Sequence, residues 1–201
     1  MIIILASSNK GKLAELKELL PTYTIYTIKD IFGNLDIIED GKSFKENAII
    51  KARVIYDKII EKNLFNKNDF CVLSDDSGIS VPALNYEPNI YSARYAGENA
   101  TDLDNNKKLI SKLTYNNILK TEAFYAACIC FIYKEQIYTT HGWMYGIVIT
   151  TPKGNKGFGY DPLFIPNGFD KTLGELDYSI KKELSHRTKA LKLALKLLKT
   201  C

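Results

Sequence analysis

The chain has 201 residues, of which 46% are hydrophobic and 25% charged, with only 6 Pro and 12 Gly. This composition excludes a disordered, collagen-like or coiled-coil protein and predicts one globular domain over residues 1–201. Lys and Arg number 27 and Asp and Glu 23, a net charge of +4. Because these charges are interspersed rather than clustered, we expect no nucleic-acid partner.

The chain begins with a pattern typical of α/β domains. Residues 2–6 are a continuous apolar, β-branched run, which predicts a buried strand. A polar turn over residues 7–11 follows, and leucines at helical spacing predict a helix over residues 12–20 that Pro21 ends. Strand, polar loop and helix in this order place the loop at a strand end, where open sheets usually carry their functional residues.

The next elements repeat this alternation. Residues 24–28 alternate like a second strand, and Ser43 with Glu46 predicts a capping box for a helix that continues to about Glu61. Residues 70–73 are a short apolar strand that leads directly into the polar segment 74–78. These elements predict helices packed on a sheet.

The second half of the chain adds strands with short connections. Thr101 and Asp104 predict the start of a helix that ends near Leu113. Residues 123–133, 136–141 and 144–150 then predict antiparallel strands, because their connections are too short for crossovers. A short helix from Thr172 and a last helix over residues 185–198 complete an α/β fold with an elongated, mixed, twisted sheet and flanking helices.

The four cysteines and the hydropathy pattern indicate the environment of the protein. Cys71, Cys128, Cys130 and Cys201 show no metal-binding spacing, and we expect reduced thiols in the core or at the terminus. No apolar run approaches the length of a membrane span, and the first residues do not resemble a signal peptide. We therefore expect a cytoplasmic protein with no membrane partner.

Asp75 and Asp76 follow directly on the strand predicted over residues 70–73. If the strand continues, consecutive side chains point to opposite faces of the sheet, so that one acid can face a ligand while the other faces away. A carboxylate here can hold Mg²⁺ or activate a water molecule. The alternative is an Asx turn at the strand end, with both acids in solvent.

The segment Ser7-Ser8-Asn9-Lys10-Gly11-Lys12 joins the first predicted strand to the first helix. Backbone N–H groups at a helix N-terminus can bind phosphate, and Lys12 would supply a neutralising positive charge. A plain polar turn with a helix cap at Ser8 or Asn9 explains the same residues. Both interpretations stay open at this point.

Three other polar residues precede or lie on the second predicted helix. Glu39 can supply another ligand for a hard cation, although a surface charge is the simpler interpretation. Asn47 and Lys51 share a helix face by their i, i+4 spacing. We expect Lys51 to lie in solvent.

Two glycines flank Phe158 in the segment Gly157-Phe158-Gly159-Tyr160-Asp161-Pro162. They allow the backbone to approach a flat ligand while Phe158 offers a stacking face, or they form a tight turn whose aromatic rings fill the core. Further along, His186 and Arg187 stand at the start of the last predicted helix. There the pair can hydrogen-bond the edge of a base or a phosphate, although a structural role is the more common one for a solitary histidine.

Taken together, these segments resemble the inosine/xanthosine triphosphate pyrophosphatase family, whose members hydrolyse non-standard purine nucleoside triphosphates to the monophosphate and pyrophosphate. The resemblance covers almost the whole chain. Its motifs, in the family's order, are Ala6-Ser7-Ser8-Asn9-Lys10-Gly11-Lys12, Ser43-Phe44-Lys45-Glu46-Asn47-Ala48, Ser74-Asp75-Asp76-Ser77-Gly78, Tyr91-Ser92-Ala93-Arg94-Tyr95-Ala96-Gly97, Gly157-Phe158-Gly159-Tyr160-Asp161-Pro162 and Ser185-His186-Arg187.

This resemblance implies two lobes around a central nucleotide cleft, a homodimer and dependence on Mg²⁺. It assigns Asp76 as proton acceptor and metal ligand, with Glu39 as the second acid that holds the metal. It assigns nucleotide contacts to a larger set: Ser7, Ser8, Asn9, Lys10, Gly11, Lys12, Ser77, Phe158, Gly159, Tyr160, Asp161, Lys181, His186 and Arg187. Among these, we expect Phe158 to stack on the base, and Lys12 and Lys181 to neutralise the leaving pyrophosphate.

Hydrolysis between the α- and β-phosphates requires a positioned water molecule and neutralisation of charge, which these residue types can supply. Donors such as Arg187 would pair with the 6-oxygen of hypoxanthine or xanthine and leave the 6-amino group of adenine facing a donor. Two alternatives remain: a catalytically silent purine-nucleotide-binding regulatory module, and a binder of single-stranded nucleic acid. The paired acids and dispersed charge disfavour the second.

Overall fold

The computed structural model describes residues 1–7 and 10–201, except for the side chains of Lys10 and Glu15. Within these residues the chain forms six strands, six α-helices and three short 3₁₀ helices. The strands are β1 (Ile2–Leu5), β2 (Thr24–Thr27), β3 (Phe70–Ser80), β4 (Lys120–Tyr133), β5 (Gln136–Ile149) and β6 (Phe164–Pro166). The helices are α1 (Lys10–Leu19), α2 (Ile28–Phe32), α3 (Phe44–Glu61), α4 (Asp102–Tyr115), α5 (Tyr178–Leu184) and α6 (His186–Leu198).

The described strands form one twisted, mixed sheet in the order β2-β1-β3-β4-β5-β6. β1 pairs in parallel with both β2 and β3, whereas β5 and β6 are antiparallel. Lys134 and Glu135 alone connect β4 to β5, and both have positive φ, as a tight hairpin turn requires. The predicted α/β class, with a mixed sheet flanked by helices, is confirmed.

The chain divides into two compact units. The first comprises Met1–Asp76, Cys128–Thr140 and Ala190–Cys201, and the second comprises Ser77–Ala127 and His141–Lys189. The boundary falls within β3, between consecutive residues of one strand. The single domain and the cleft expected from the sequence stay predictions.

The core of the first unit is the apolar stripe of α3 with residues from the parallel strands. Ala48, Ala52 and Ile55 recur at helical spacing and are fully buried, in one cluster with Ile4 and Val72. Burial of such side chains stabilises the fold by about 25 cal/mol per Å² of apolar surface. Burial of this stripe therefore fixes the orientation of α3 about its own axis, and with it the positions of the polar residues on the same face.

The core of the second unit combines aliphatic and aromatic side chains. Tyr125 and Phe164 make an edge-to-face contact with ring centroids 4.9 Å apart, and Leu109 of α4 is fully buried in the same cluster. The predicted start of α4 is confirmed, because Thr101 and Asp104 form a complete capping box. This capping and packing fix the first turns of α4.

Two strand predictions need correction. β3 does not end at Leu73 but continues to Ser80, because the acids that follow the apolar run have ionic partners in the fold. The segments expected as separate strands on either side of Gly142 are one strand, β5. There Gly142 and Met144 are buried while Trp143 is exposed, which is the alternation of a continuous strand.

Two helix predictions also change. Residues 172–175 form a turn in which Thr172 donates its hydroxyl to the Lys153 carbonyl, so the helix in this region begins only at Tyr178. Ser43 caps α3 by accepting from the Glu46 N–H at 3.1 Å, but Glu46 accepts from the Lys42 N–H and not from that of Ser43. The predicted capping box is therefore only half formed.

The cysteines are confirmed as thiols, with Cys71, Cys128 and Cys130 buried and Cys201 exposed. Burial raises the pKa of the Cys128 and Cys130 thiols to about 12. They are therefore uncharged, inert core residues. Across the described residues, every helix is too short or too polar to cross a bilayer.

Candidate active site

β3 places two acids in the middle of the sheet. Asp75 is almost fully buried, and its carboxylate lies 2.7 Å from the Lys12 ammonium of α1. The Asp76 carboxylate has a different partner, Lys51 of α3. The continued strand conformation thus gives each acid its own cation, and an Asx turn with both acids in solvent is ruled out.

The Lys51 ammonium lies between two carboxylates of the first unit. Its Nζ atom is 2.9 Å from Glu39 Oε2 and 3.2 Å from Asp76 Oδ1. Burial alone would lower the pKa of Lys51, but the carboxylates of Asp76, Asp75 and Glu39 raise it above its usual value. Lys51 is therefore charged. It is also buried, so the expectation that it lies in solvent is wrong.

Two effects act in opposite directions on the pKa of Asp76. Burial raises the pKa of its carboxyl above the usual value, and the Lys51 charge works against that rise. The Asn47 side chain also donates a hydrogen bond of 3.1 Å to Asp76 Oδ2. Both carboxylate oxygens therefore have fixed partners, which determines how the carboxylate is oriented.

Asn47 also connects α3 to the segment that carries Glu39. Its Oδ1 atom accepts the Gly41 N–H at 2.9 Å. A β-carbon at Gly41 would lie 2.6 Å from that same oxygen, so this close approach requires glycine. One buried amide thus holds both the Asp76 carboxylate and the backbone two residues after Glu39.

The donor set at Asp76 and Glu39 suits a hard divalent cation. Two carboxylates attract the Lys51 ammonium between them, which shows that a positive charge is favourable there. Among the described residues, no group of three or more His, Cys, Asp or Glu side chains is arranged to hold a metal ion. A metal at this position would complete its shell with water and phosphate oxygens, as Mg²⁺ usually does.

The second unit contains the Phe158 segment. The Phe158 ring is 61% exposed, and the Lys181 ammonium lies over it at 4.5 Å from the ring centroid. Lys181 also forms an ion pair with Asp161, whose carboxylate accepts the Phe158 N–H at 2.9 Å. Burial raises the pKa of Asp161, and Lys181 opposes that rise.

Gly157 is required for this arrangement. It has φ of +83°, and a β-carbon there would lie 2.1 Å from an Asp161 carboxylate oxygen and 2.6 Å from the Lys181 ammonium. Tyr160 is buried, and its hydroxyl donates to the Ser92 carbonyl at 2.9 Å. The segment therefore fits both interpretations offered by the sequence, because Tyr160 fills the core while the Phe158 ring is exposed.

Ser92 connects two of the sequence motifs. Its hydroxyl accepts the Ile79 N–H at 3.0 Å and donates to the Asn89 carbonyl at 2.6 Å. A β-carbon at Gly78 would lie 2.3 Å from the Ser92 hydroxyl, so the close approach depends on glycine. The motif over residues 91–97 thus supports the end of β3 and, through Tyr160, the Phe158 segment.

His186 and Arg187 have defined positions at the start of α6. The His186 ring stacks on Tyr125 with centroids 4.9 Å apart and an interplanar angle of 13°. Arg187 donates a hydrogen bond of 3.0 Å to the Ser77 hydroxyl. Ser77, His186 and Arg187 are thereby associated with the second unit, like Phe158.

The remaining predicted residues lie at the end of β1 and the start of α1. Ser7 follows β1 and is half-buried, and Gly11 is exposed in the first turn of α1, one residue before Lys12. Ser8, Asn9 and the Lys10 side chain lie outside the described residues. A phosphate-binding role for this loop stays a prediction.

Sequence reasoning missed the roles of Asn47 and Lys51. The available signal was their position on the apolar stripe of α3, where they alternate with Ala48 and Ala52. A lysine on a buried stripe needs an anionic partner. Nothing in the local sequence identifies that partner, because Asp76 is 25 residues away.

Comparisons with known proteins add to this geometry. A model of the Ham1 family matches residues 3–197. The chain is 56% identical over 198 residues to the dITP/XTP pyrophosphatase of Aliarcobacter butzleri, covering 98% of each chain. It is 54% identical over 200 residues to that of Nautilia profundicola, covering 100% of this chain and 98% of the relative. The Staphylococcus aureus Ham1 protein is similar in structure, with a TM-score of 0.87, 35% identity, and coverage of 100% of this chain and 99% of that one.

Proposed function

Because the chain belongs to the Ham1 family, we propose that it hydrolyses non-standard purine nucleoside triphosphates such as dITP, ITP and XTP to the monophosphate and pyrophosphate. The observation that carries the proposal is the Asp76 carboxylate, held by Lys51 and Asn47 with Glu39 beside it. An ionised, oriented carboxylate is what the attack of water on a phosphorus atom requires.

In this proposal Asp76 orients the attacking water and accepts its proton. Burial raises the pKa of Asp76, the Lys51 charge opposes that rise, and Asn47 holds the second oxygen of the carboxylate. Lys12, paired with Asp75, lies in the same unit and contributes positive charge toward the phosphates. The protein supplies positioning and charge rather than a covalent intermediate.

We propose Mg²⁺ as the cofactor, held by Asp76 and Glu39. The two carboxylates are the hard oxygen ligands that Mg²⁺ prefers. When bound, Mg²⁺ neutralises phosphate charge and lowers the pKa of a coordinated water molecule.

We assign recognition of the base to Phe158, Lys181, Asp161, His186 and Arg187. The exposed Phe158 ring offers a stacking surface, and the hydrogen-bonding groups around it are donors and acceptors of fixed orientation. Because Lys181 lies over Phe158, we assign it to the base rather than to the leaving pyrophosphate. This changes the role that the sequence suggested for Lys181.

We propose a homodimer formed through an aromatic surface of the second unit. Trp143 and Tyr145 on β5 are 44% and 58% exposed, and Phe124 contacts the Tyr145 ring at 5.8 Å between centroids. Exposed aromatic clusters of this kind are typical of protein interfaces. Sedimentation of the wild type and of a Trp143→Ser, Tyr145→Ser double variant tests this, with a monomeric variant expected.

We also propose a cytoplasmic location and no nucleic-acid partner. Three buried thiols suit a reducing compartment, and the mixed charge of the chain does not form a basic tract. Binding to a labelled single-stranded oligonucleotide at low salt would contradict the second statement.

The activity is tested with a panel of nucleoside triphosphates, scored for pyrophosphate and monophosphate with and without Mg²⁺. We expect ITP, dITP and XTP to be hydrolysed far faster than ATP, with pyrophosphate as the first product. Orthophosphate as the first product, or ITP bound without turnover in the presence of Mg²⁺, would contradict the proposal.

A further inference from the structure

The Phe158 ring is displayed on a segment that its own sequence does not hold rigid. Gly157 and Gly159 flank it with φ of +83° and +59°, and glycine has more backbone freedom than any other residue. An exposed ring between two glycines would sample many orientations. A stacking surface that must be ordered at each binding event binds more weakly than a pre-ordered one.

Helix α4 removes that freedom at Gly159. Asp102 Oδ2 accepts the Gly159 N–H at 2.6 Å, and Asn106 donates its Nδ2–H₂ group to the Gly159 carbonyl at 3.0 Å. The two side chains are four residues apart and therefore share one face of the helix. Both hydrogen-bonding groups of a single residue are thus held by one helix.

The orientation of the Asn106 amide follows from its partner. A carbonyl can only accept, so the NH₂ group must face Gly159. Asn106 is buried, which shields this bond from competition by water. Asp102 lies in the first turn of α4 and is exposed. It can therefore be substituted without disturbing the core.

The contacts on the other side of the ring are separate from α4. Asp161 accepts the Phe158 N–H and pairs with Lys181, which lies over the ring. These contacts fix the backbone N–H of Phe158, and its carbonyl accepts the Asp161 N–H in a longer hydrogen bond of 3.3 Å. The two hydrogen bonds from α4 hold the next residue, Gly159, through its own N–H and carbonyl.

We propose that Asp102 and Asn106 are positioning residues for purine recognition, acting by holding Gly159 so that Phe158 is pre-oriented to stack on the base. This inference rests on the proposed function, in which Phe158 stacks on the base. Neither residue needs to touch the nucleotide. Their removal weakens binding of the base and leaves the chemical step at Asp76 unchanged.

Asp104 provides a matched control for Asp102. It lies in the same turn, but its carboxylate caps α4 by accepting from the Thr101 N–H at 3.0 Å and the Thr101 hydroxyl at 2.6 Å. Loss of Asp104 should therefore lower the melting temperature more than loss of Asp102. The KM for ITP and the Kd of inosine monophosphate should instead rise more on loss of Asp102 than on loss of Asp104.

The experiment measures kcat and KM for ITP, the melting temperature, and the Kd of inosine monophosphate by calorimetry. We expect Asp102→Ala to raise KM and Kd about 3- to 10-fold, as for loss of a charge-assisted hydrogen bond, with kcat changed less than about 2-fold. Asp104→Ala should lower the melting temperature and change KM and Kd by less than about 2-fold. Asp102→Asn retains an acceptor oxygen and should lie between wild type and Asp102→Ala.

Asn105 provides the same control for Asn106. It is also buried, and it bonds the Ala93 carbonyl at 3.1 Å and the Ala96 N–H at 2.8 Å. Asn106→Ala and Asn105→Ala should both lower the melting temperature, because each removes a buried hydrogen bond. Only Asn106→Ala should raise the KM for ITP.

A double variant separates action through Phe158 from direct contact with the nucleotide. In a Phe158→Ala background, Asp102→Ala should change Kd by less than about 2-fold, since the two changes affect one interaction. Multiplicative effects in the double variant, or equal effects of Asp102→Ala and Asp104→Ala on Kd, would overturn the inference.

The design distinguishes this inference from the proposed function. If Phe158→Ala weakens binding but Asp102→Ala and Asn106→Ala do not, stacking stands and the positioning role is wrong. If Phe158→Ala has no effect on Kd, stacking itself is wrong, and the positioning role fails with it.

Discussion

The two units of the protein fix their functional groups by different means. In the first unit, Lys51, Glu39 and Asp76 are charged side chains on regular or adjoining elements, and each is held by an opposite charge. In the second unit, Phe158 lies on a glycine-containing segment whose backbone is held by side chains from α4 and from Asp161. Ion pairs between side chains fix the first region, and hydrogen bonds from side chains to a glycine-containing backbone fix the second.

This difference teaches how the two regions should respond to substitution. A charge cluster acts on the developing charge of the transition state, so damage to it should lower kcat. A stacking surface binds substrate and transition state alike, so damage to it should raise KM. This division is wrong if damage to the charge cluster raises KM, or if damage to the stacking surface lowers kcat.

The largest effect is expected at Asp76. Asp76→Asn keeps the shape of the side chain but removes the base, and its single carbonyl oxygen can accept from only one of Asn47 and Lys51. We therefore expect kcat for ITP to fall roughly 10³-fold. The Kd of inosine monophosphate should change little, because this ligand lacks the bond between the α- and β-phosphates at which Asp76 is proposed to act. Steady-state assays and calorimetry measure the two quantities.

Asp57→Asn is the control for this variant, since Asp57 is an exposed acid of the same unit. It should retain wild-type turnover. Unchanged turnover in Asp76→Asn would remove Asp76 from its proposed role.

The second largest effect is expected at Lys51. Lys51→Met leaves Glu39 and Asp76 with uncompensated charge, which further raises the pKa of Asp76 and reduces the fraction that can accept a proton. We expect kcat to fall about 10²-fold, within the range of general-base effects. The melting temperature should fall as well, because two half-buried carboxylates lose their partner.

Lys45→Met tests whether any lysine of α3 has this effect, because Lys45 is exposed on the same helix. It should resemble the wild type in both turnover and melting temperature. If Lys51→Met raises KM while kcat is preserved, the proposed division between the two units is wrong.

The sequence predicted the elements of both regions better than it predicted their contacts. The β-branched run of β1 and the apolar stripe of α3 specify their own structure, because burial of a regular face determines each element. The role of Lys51 depends on Asp76, 25 residues away. Asn106 holds Gly159, which is 53 residues away, and no local pattern encodes such a pair.

The local patterns nevertheless predicted how neighbouring residues within one segment differ in their surroundings. The consecutive acids of β3 have different lysine partners, Lys12 for Asp75 and Lys51 for Asp76. The Phe158 ring is exposed, whereas Tyr160 is buried. The error at the end of β3 came from the polar segment itself. Asp75 and Asp76 favour a turn locally, whereas in the fold both acids have lysine partners and the strand continues through them to Ser80.

The third effect is expected at Phe158. Phe158→Ala should raise the KM for ITP and the Kd of inosine monophosphate about 10-fold, within the range for loss of base–aromatic stacking. The value of kcat should change less than about 2-fold, since the carboxylate of Asp76 belongs to the other unit. The same assays used for Asp76 measure this effect.

Tyr178→Ala is the matched control, because Tyr178 is an aromatic residue of the same unit and is similarly exposed. It should leave KM unchanged. A fall in kcat with unchanged KM in Phe158→Ala would contradict the assignment of Phe158 to the base.

The smallest effect concerns stability in the second unit. Hydrogen bonds from the side chain and backbone of Thr101 lower the pKa of Asp104 below its usual 3.8. A carboxyl with a lowered pKa in the folded state stabilises the fold above its unfolded pKa and loses that contribution as the pH falls through its folded pKa. Asp104→Ala should therefore lower the melting temperature by a few degrees near pH 7, and the difference from wild type should shrink as the pH falls below 3.8. Thermal scans over this pH range measure it, and a difference that does not depend on pH would show that the Asp104 carboxylate does not cap α4.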